Sequence, residues 1–171
     1  MMMIRQTGFT AVIALVLATV LSWQAHAQDG ADSAEQIARN YLDAYSRIDV
    51  AEMSSMLADD AVFDDRSSTN TPGGPYYYEG RDAIISAMTL FREEFGLYQI
   101  EYDLDFDWEA GGQAVFGGAV EARWHRPDGQ DQVWRGDVMT TIRIRGGMVV
   151  EHLDMPDYDG GVMTVEPPAS P

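Results

Sequence analysis

Two polar side chains near the ends of one short stretch of sequence could perform acid–base chemistry. Tyr41 is a phenol and Asp65 is a carboxylate, and residues 33–65 could bring them to the walls of one small pocket. A hydrogen-bond donor that faces a base across an apolar cavity can move a proton next to a carbonyl group. The pair is therefore a candidate for proton abstraction from a small apolar molecule.

Each of the two residues also has a simpler interpretation. Asp65 leads into Arg66-Ser67-Ser68, a composition typical of a turn, and Asp64 would point to the opposite face of the same strand. Tyr41 fits an ordinary core aromatic of an amphipathic helix. Both interpretations stay open on the residues alone.

His152 and Asp154 form a second candidate pair, because residues two apart on a strand share a face. Which face they share depends on the hairpin before them, since a slip of one residue moves every side chain to the other side. A three-residue loop over 145–147 would group the pair with Val138, Thr140, Ile142 and Ile144. A two-residue Gly146-Gly147 turn would group it with Met139, Thr141 and Arg143.

Capping motifs and apolar spacing predict the elements that carry these residues. Ser33–Gln36 is a capping box ahead of an amphipathic helix of about 15 residues, and Asp49–Glu52 opens a shorter helix. Residues 61–64 predict a short strand, followed by a loop over 66–78. A third helix is predicted between Gly80 and Gly96.

Four strands are predicted after the third helix. Residues 100–109 alternate between apolar and acidic side chains, and we expect a solvated acidic face there, because calcium loops need carboxylates that converge from a turn. Gly117-Gly118 indicates a bulge or bend. The remaining strands are expected over 114–125, 132–144 and 148–155. This order, α-α-β-α and then an antiparallel meander, predicts an α+β domain with helices on one face of a curved sheet.

The N-terminal residues are typical of a secretory signal peptide. One basic residue, Arg5, precedes an apolar run over 8–21, and Ala25-His26-Ala27 is a small-x-small cleavage motif. We expect a signal peptide over 1–27, cut between Ala27 and Gln28, and hence a periplasmic or secreted protein that is not attached to the membrane after cleavage. Residues 28–156 then form one domain, and residues 157–171 an irregular tail rich in Pro and Gly.

Composition excludes several classes of partner. The 11 basic residues, all Arg, stand against 28 acidic residues, and the net charge of −17 should repel nucleic acid and anionic membranes. Cysteine is absent, so neither a disulfide nor a thiolate metal site is available. His125 and His152 lack the spacing of a zinc site, and no glycine-rich phosphate loop appears. We therefore predict neither a metal nor a cofactor.

The order of elements, the segment Tyr41-Leu42-Asp43-Ala44-Tyr45 and residues 57–65 resemble the nuclear transport factor 2-like superfamily, and most of all its ketosteroid isomerase and SnoaL-like polyketide cyclase branches. The resemblance covers nearly all of residues 33–156. It implies a cone-shaped α+β barrel, in which three N-terminal helices pack on a curved antiparallel sheet. The resemblance identifies the fold but does not identify the activity, because this fold occurs in isomerases, cyclases, dehydratases, hydrolases and non-enzymes.

The resemblance also assigns expected roles. Tyr41 falls on the oxyanion-hole tyrosine of the isomerases, and Asp65 falls on their general base. Thr140 stands where those isomerases carry a protonated aspartate, which is a departure from their pattern. Asp154 matches a final-strand acid and base of the cyclases, and this match favours the register in which His152 and Asp154 face the pocket. His152 would then shuttle a proton or orient a neighbour, since the histidine on the preceding strand of those cyclases is missing here.

The implied function is an exported domain that encloses a small apolar molecule and performs cofactor-free isomerisation, cyclisation or dehydration. In one alternative, the same pocket binds a ligand without changing it. In another, the domain is an oligomerisation module. Superfamily members often pair through the outer sheet face, so we expect a homodimer. The side chains expected to line the pocket are Phe63, Tyr102, Trp124, Val138, Thr140 and Ile142.

Overall fold

The computed structural model describes residues 32–71 and 73–169. The predicted signal peptide over 1–27 lies outside the described residues and stays a prediction. The helices are α1 (Ala34–Ser46), α2 (Val50–Met56) and α3 (Arg81–Glu93), with a 3-10 helix at Arg66–Asn70. The strands are β1 (Leu57–Asp65), β2 (Tyr76–Glu79), β3 (Leu97–Ala110), β4 (Gln113–His125), β5 (Asp131–Arg145), β6 (Met148–Pro156) and β7 (Val162–Glu166). No helix in these ranges is both long and apolar enough to cross a membrane.

The first two helices begin where the capping motifs predict. The Ser33 side chain accepts a hydrogen bond from the backbone N–H of Gln36 at 3.1 Å, and Asp49 does the same for Glu52 at 3.0 Å. These bonds satisfy N–H groups that have no partner inside the helix. Helix α1 turns its apolar stripe toward the sheet, and that stripe buries Tyr41 completely.

The sheet has the strand order β2-β1-β6-β5-β4-β3, with β7 beside β5. Strands β3 to β6 form the predicted antiparallel meander, whereas β1 runs parallel to β6 and makes the sheet mixed. The three helices and the curved, open sheet agree with the predicted α+β cone, although the sheet does not close into a barrel. Strand β1 extends over nine residues and exceeds the predicted 61–64, and its last four residues pair with strands on both sides.

A bulge in β3 reverses the alternation of its side chains. Leu104 pairs with Gly118 but Phe106 pairs with Gly117, so one extra residue lies in β3. Beyond it, Asp107 lies beside the buried Phe116 and forms an ion pair with Arg39 of α1. The expectation of one continuous apolar face along 100–109 is therefore wrong.

The reversal leaves two large side chains on the outer face of the sheet. Phe106 is 52% exposed and Trp108 is 55% exposed. Gly117 of β4 pairs with Phe106 on one side and with Met139 of β5 on the other, so these residues lie on the same face of the sheet. Met139 is 45% exposed. The outer face thus carries an apolar patch, defined here as Phe106, Trp108 and Met139.

The hairpin between β5 and β6 combines features of both predicted alternatives. Arg145 pairs with Met148 around Gly146-Gly147, whose φ angles of 60° and 80° belong to a two-residue turn. The register then shifts, because Ile144 pairs with Val149 and Arg143 with Glu151, which leaves Val150 as an extra residue. The three-residue loop is therefore wrong, but this bulge restores the pocket-facing register that accompanied it.

The C-terminal tail is more ordered than the sequence predicts. Strand β7 pairs antiparallel with Asp131–Arg135 at the start of β5, so the expectation of an irregular segment over 157–171 is wrong for Val162–Glu166. Three of these five residues, Val162, Thr164 and Val165, are β-branched, which suits a strand. Likewise, the predicted loop over 66–78 contains the 3-10 helix and the start of β2.

The bulge provides a stability test, because its two glycines have different surroundings. A Cβ atom at Gly118 would lie 2.1 Å from the carbonyl oxygen of Asp103, whereas at Gly117 the nearest atom would be 3.7 Å away, on Phe106. We expect Gly118→Ala to lower the free energy of unfolding by about 3 kcal/mol through backbone displacement. Chemical denaturation measures this loss. The matched control Gly117→Ala should change it little, and equal losses in both variants would contradict the register described here.

Candidate active site

The pairing of three strands places the candidate residues on one face of the sheet. Asp65 of β1 lies directly beside Asp154 of β6, and Phe63 lies beside His152. On the other side of β6, Thr140 of β5 pairs with Asp154. Tyr41 reaches the same region from α1. The structure therefore brings all four predicted catalytic residues, Tyr41, Asp65, His152 and Asp154, into one cluster.

His152 lies at the centre of an aromatic enclosure. Its side chain has no exposed surface, and its Nδ1 atom is 3.3 Å from the Tyr41 hydroxyl. The rings of Tyr41, Tyr45 and Phe63 meet the imidazole edge-on, with centroids 5.5, 4.7 and 4.8 Å away. Such packing fixes the orientation of the imidazole ring.

The other imidazole nitrogen faces a carboxylate without a well-aligned hydrogen bond. His152 Nε2 lies 3.0 Å from Asp154 Oδ1, yet this nitrogen has no hydrogen-bond partner of acceptable angle. Residues two apart on one strand bring the atoms close but do not align them. We therefore regard the contact as electrostatic. The hydroxyl of Thr140 donates to the same Asp154 oxygen at 2.6 Å.

Asp65 is held by donors at both carboxylate oxygens. Oδ1 accepts from the backbone N–H of Ser67 at 3.1 Å, and Oδ2 accepts from the hydroxyl of Tyr158 at 2.5 Å. The side chain is 7% exposed, and burial is the largest cause that raises its pKa, to about 6. The bond from Tyr158 opposes this rise, while the negative charge of Asp154 adds to it.

The phenols of the site remain hydrogen-bond donors at neutral pH. Burial, and then the nearby charge of Asp154, raises the pKa of Tyr41 above its ordinary value. The same two causes raise the pKa of Tyr102, whose hydroxyl lies within hydrogen-bonding reach of Thr140. A buried phenol of this kind can donate to an oxygen on which negative charge develops.

The expected pocket-lining residues divide into two groups. Phe63, Thr140 and Ile142 lie in the cluster, and Val138 and Tyr102 adjoin it. Trp124 does not, because it pairs with Gln132, eight residues from Thr140 along β5, a separation of roughly 26 Å at the usual rise of a strand. The expectation that Trp124 lines the pocket did not include its distance along the strand, which the sequence does not give.

An open crevice lies beside the cluster and not at it. A crevice of about 580 Å³ separates α1 from the edge strand β3, with Leu42, Ile100, Tyr102 and Leu104 among its walls. A second, of about 450 Å³, is lined by residues of β3, β4 and β5. Neither is lined by Asp65, His152 or Asp154. Tyr102 is therefore the link between the first crevice and the Thr140–Asp154 pair.

Sequence reasoning missed Tyr158. This residue lies in the tail that was expected to be irregular, yet its hydroxyl binds Asp65 and its ring lies 5.4 Å from that of Trp134. The one available signal was a large aromatic among glycines and acidic residues, two positions after Pro156.

Within the ranges 32–71 and 73–169, no group of three or more His, Asp or Glu side chains is arranged to hold a metal ion.

The raised pKa of Asp65 predicts a pH-dependent effect on stability. The pKa of Asp65 is about 6 in the folded protein and 3.8 ordinarily, so the native state binds the proton more tightly than the unfolded chain does. The free energy of unfolding therefore falls as the pH rises from the lower of these two values to the higher. Above the higher value, the buried charge destabilises the fold. The free energy of unfolding of Asp65→Asn should therefore rise relative to that of the parent protein as the pH increases. We expect this relative gain to be about 2 kcal/mol between about pH 4 and about pH 8.

Thermal or chemical unfolding at the two pH values measures this difference. The matched control is Asp64→Asn, which removes the neighbouring carboxylate that pairs with Arg66. A difference between parent and Asp65→Asn that is the same at both pH values would contradict the burial of a charged Asp65.

Comparison with known proteins places this geometry in a family. A model of the SnoaL-like domain matches residues 38–152. No curated protein matches the sequence. A SnoaL-like protein from Shewanella denitrificans OS-217, provisionally described as a polyketide cyclase, superposes with a TM-score of 0.63 at 20% identity, over 74% of this chain and 92% of that one.

Two further solved structures have the same fold. An LEH-like epoxide hydrolase from M. tuberculosis gives a TM-score of 0.59 at 12% identity, over 74% of this chain and 84% of the other. An NTF2-like protein from Anabaena variabilis ATCC 29413 gives 0.56 at 16% identity, over 74% and 91%. At such identities these likenesses support the fold alone. Because the family model covers most of the described residues, the chain belongs to the SnoaL-like domain family.

Proposed function

We propose that this SnoaL-like domain is an exported, cofactor-free enzyme that moves a proton next to the carbonyl group of a small apolar molecule, as in isomerisation, cyclisation or dehydration. One observation carries the proposal. Asp65 and Asp154 lie side by side on adjacent strands, buried among phenols, and burial raises the pKa of Asp65 to about 6.

Asp65 has the properties that a general base needs. A base works best when its pKa lies near the working pH, because it is then deprotonated and still takes up a proton readily. The carboxylate of Asp65 meets both conditions at neutral pH. The carboxylate of Asp154 is the second candidate base, and the hydroxyl of Thr140 holds it in place.

Tyr41 and His152 would provide the opposing donors. The Tyr41 hydroxyl lies 3.3 Å from His152 Nδ1, so the imidazole orients the phenol or exchanges a proton with it. When a proton leaves the carbon next to a carbonyl, negative charge develops on the carbonyl oxygen. A protonated phenol aimed at that oxygen would stabilise it, and no metal or redox cofactor is required for this step.

Two further observations support an enzyme that acts on a small molecule. The crevice between α1 and β3 offers about 580 Å³ next to Tyr102, which is a volume suited to a small organic molecule. Solved structures of similar fold are described as an epoxide hydrolase and, provisionally, as a polyketide cyclase. The substrate would enter by this crevice and pass Tyr102 to reach Thr140 and Asp154.

A binding protein without catalysis is the second candidate. Thr140 is a weaker donor than a protonated carboxyl group, and its hydroxyl is already used by Asp154. Full burial of His152 and Thr140 also limits direct contact with a ligand unless the cluster opens. These two observations favour a domain that carries an apolar molecule unchanged.

Exchange of the α-protons of β-tetralone in deuterium oxide, followed by NMR, separates the two functions. This small apolar ketone reports proton abstraction without knowledge of the natural substrate. We expect the protein to accelerate exchange, with a rate that rises with pH around a midpoint near 6 as Asp65 loses its proton. Asp65→Asn should lower the rate about a hundredfold or more.

Asp154→Asn tests the second base, and Asp64→Asn is the control that should keep the full rate. If both Asp65→Asn and Asp154→Asn exchange β-tetralone as fast as the parent protein, the catalytic assignment fails. Chemical-shift changes of protein resonances without accelerated exchange would instead favour the binding protein.

We also propose that the chain forms a homodimer through the outer face of the sheet. The patch of Phe106, Trp108 and Met139 combines three large, half-exposed apolar side chains, and apolar clusters on a sheet face are typical of interfaces. The bulge in β3 is what directs two of the three outward. A symmetric pair of such patches would bury them against each other.

Native mass spectrometry and light scattering test the dimer. We expect Met139→Glu to convert a dimer into a monomer, because it places a charge inside the interface. The control Leu90→Glu changes an equally exposed leucine of α3, on the helical side, and should leave the dimer intact. A parent protein that is monomeric at all concentrations would refute the interface.

A further inference from the structure

The segment that follows β6 returns across the candidate site. Asp157 donates its backbone N–H to the carbonyl of Asp137 at 2.8 Å, and the next residue, Tyr158, donates its hydroxyl to Asp65. The segment then continues into β7, which pairs with the first residues of β5. We name residues 157–166 the strap. It connects the wall of the site to a strand that lies outside the β2-β1-β6-β5-β4-β3 path.

Besides the pairing of β7 with β5, two side-chain contacts hold the strap against the domain. Arg135 of β5 binds Glu166 through both carboxylate oxygens, at 2.5 and 3.0 Å, and also binds Glu121. Gly161 lies so close to the indole of Trp134 that a Cβ atom there would be 2.5 Å from its nitrogen. The bidentate pair of Arg135 and Glu166 is the anchor, and Trp134 is the surface against which the strap rests.

We infer that Tyr158 is the positioning residue of the Asp65 carboxylate, and that the strap, anchored by Arg135 and Glu166, is the part of the fold that holds the Tyr158 hydroxyl at this carboxylate. The inference rests on the proposed role of Asp65 as base. It goes further, because it assigns a function to a tail that lies beyond the matched residues 38–152.

The contacts of Asp65 explain why the strap matters. Its donors are the backbone amides of Ser67 and Ser68 in the 3-10 helix and the hydroxyl of Tyr158 in the strap. Asp154 of β6 and Tyr76 of β2 lie beside it in the sheet. The amides belong to the 3-10 helix, so Tyr158 is the donor that depends on the strap. Without the Tyr158 hydroxyl, the charged Asp65 would lose its one side-chain donor among these bonds and would face Asp154 with less compensation.

A carboxyl-carbon NMR titration of the labelled protein tests the positioning role without any substrate. We expect Tyr158→Phe to raise the pKa of Asp65 by about one unit, because a hydrogen bond to the charged form is lost while the ring is kept. The control Tyr77→Phe removes a hydroxyl that binds Glu79 on β2 and should leave Asp65 unchanged. An unchanged Asp65 titration in Tyr158→Phe would overturn the inference.

The anchor is tested through Trp134. In a protein whose Trp23, Trp108 and Trp124 are replaced by Phe, we expect Arg135→Gln to increase acrylamide quenching of Trp134 and to raise the pKa of Asp65, as Tyr158→Phe does. The control Arg143→Gln, on the same strand, breaks an ion pair with Glu151 and should do neither. Increased quenching with an unmoved Asp65 pKa would refute the link between strap and carboxylate.

These outcomes separate the two proposals. If the parent protein does not exchange β-tetralone protons while Tyr158→Phe still moves the Asp65 titration, the proposed function fails and the positioning by Tyr158 stands. If exchange is fast and Tyr158→Phe changes neither the titration nor the pH midpoint of the rate, the strap inference alone fails.

Discussion

The parallel pairing of β1 with β6 is the constraint on which the candidate site depends. It places Asp65 opposite Asp154, so two carboxylates share a low-dielectric space that would not accept both charges without support. Each therefore has dedicated donors: Ser67 and Tyr158 for one, Thr140 for the other. A hydrophobic core that served stability alone would not contain such a pair of carboxylates, because buried charges destabilise a fold unless they are compensated.

The sequence predicts the framework of this site better than its details. Capping boxes fix the helix starts, and helical spacing directs Tyr41 inward, because both depend on residues three or four positions apart. The proximity of Asp65 and Asp154 comes from a parallel pairing across almost ninety residues, which no local pattern encodes. There, the family resemblance supplied what local patterns could not.

Each difference from the prediction has its own physical reason. The reversed face of Phe106 and Trp108 depends on one bulged residue, and alternation counts cannot detect an insertion inside a strand. Tyr158 was missed because glycines and prolines around it indicate an irregular chain, although its hydroxyl reaches Asp65. Trp124 was misplaced because alternation gives the face of a strand but not the position along it.

The extra residue at Val150 has a consequence for how this chemistry is inherited. With it, His152 and Asp154 lie under the helices. A chain shortened by that one residue would keep the tight glycine turn and yet present both groups to solvent. Loss of the Val150 codon would thus remove the candidate site while leaving all of its acidic residues and its histidine in the sequence. Hairpin length is therefore as informative as residue identity when such domains are sorted into enzymes and non-enzymes.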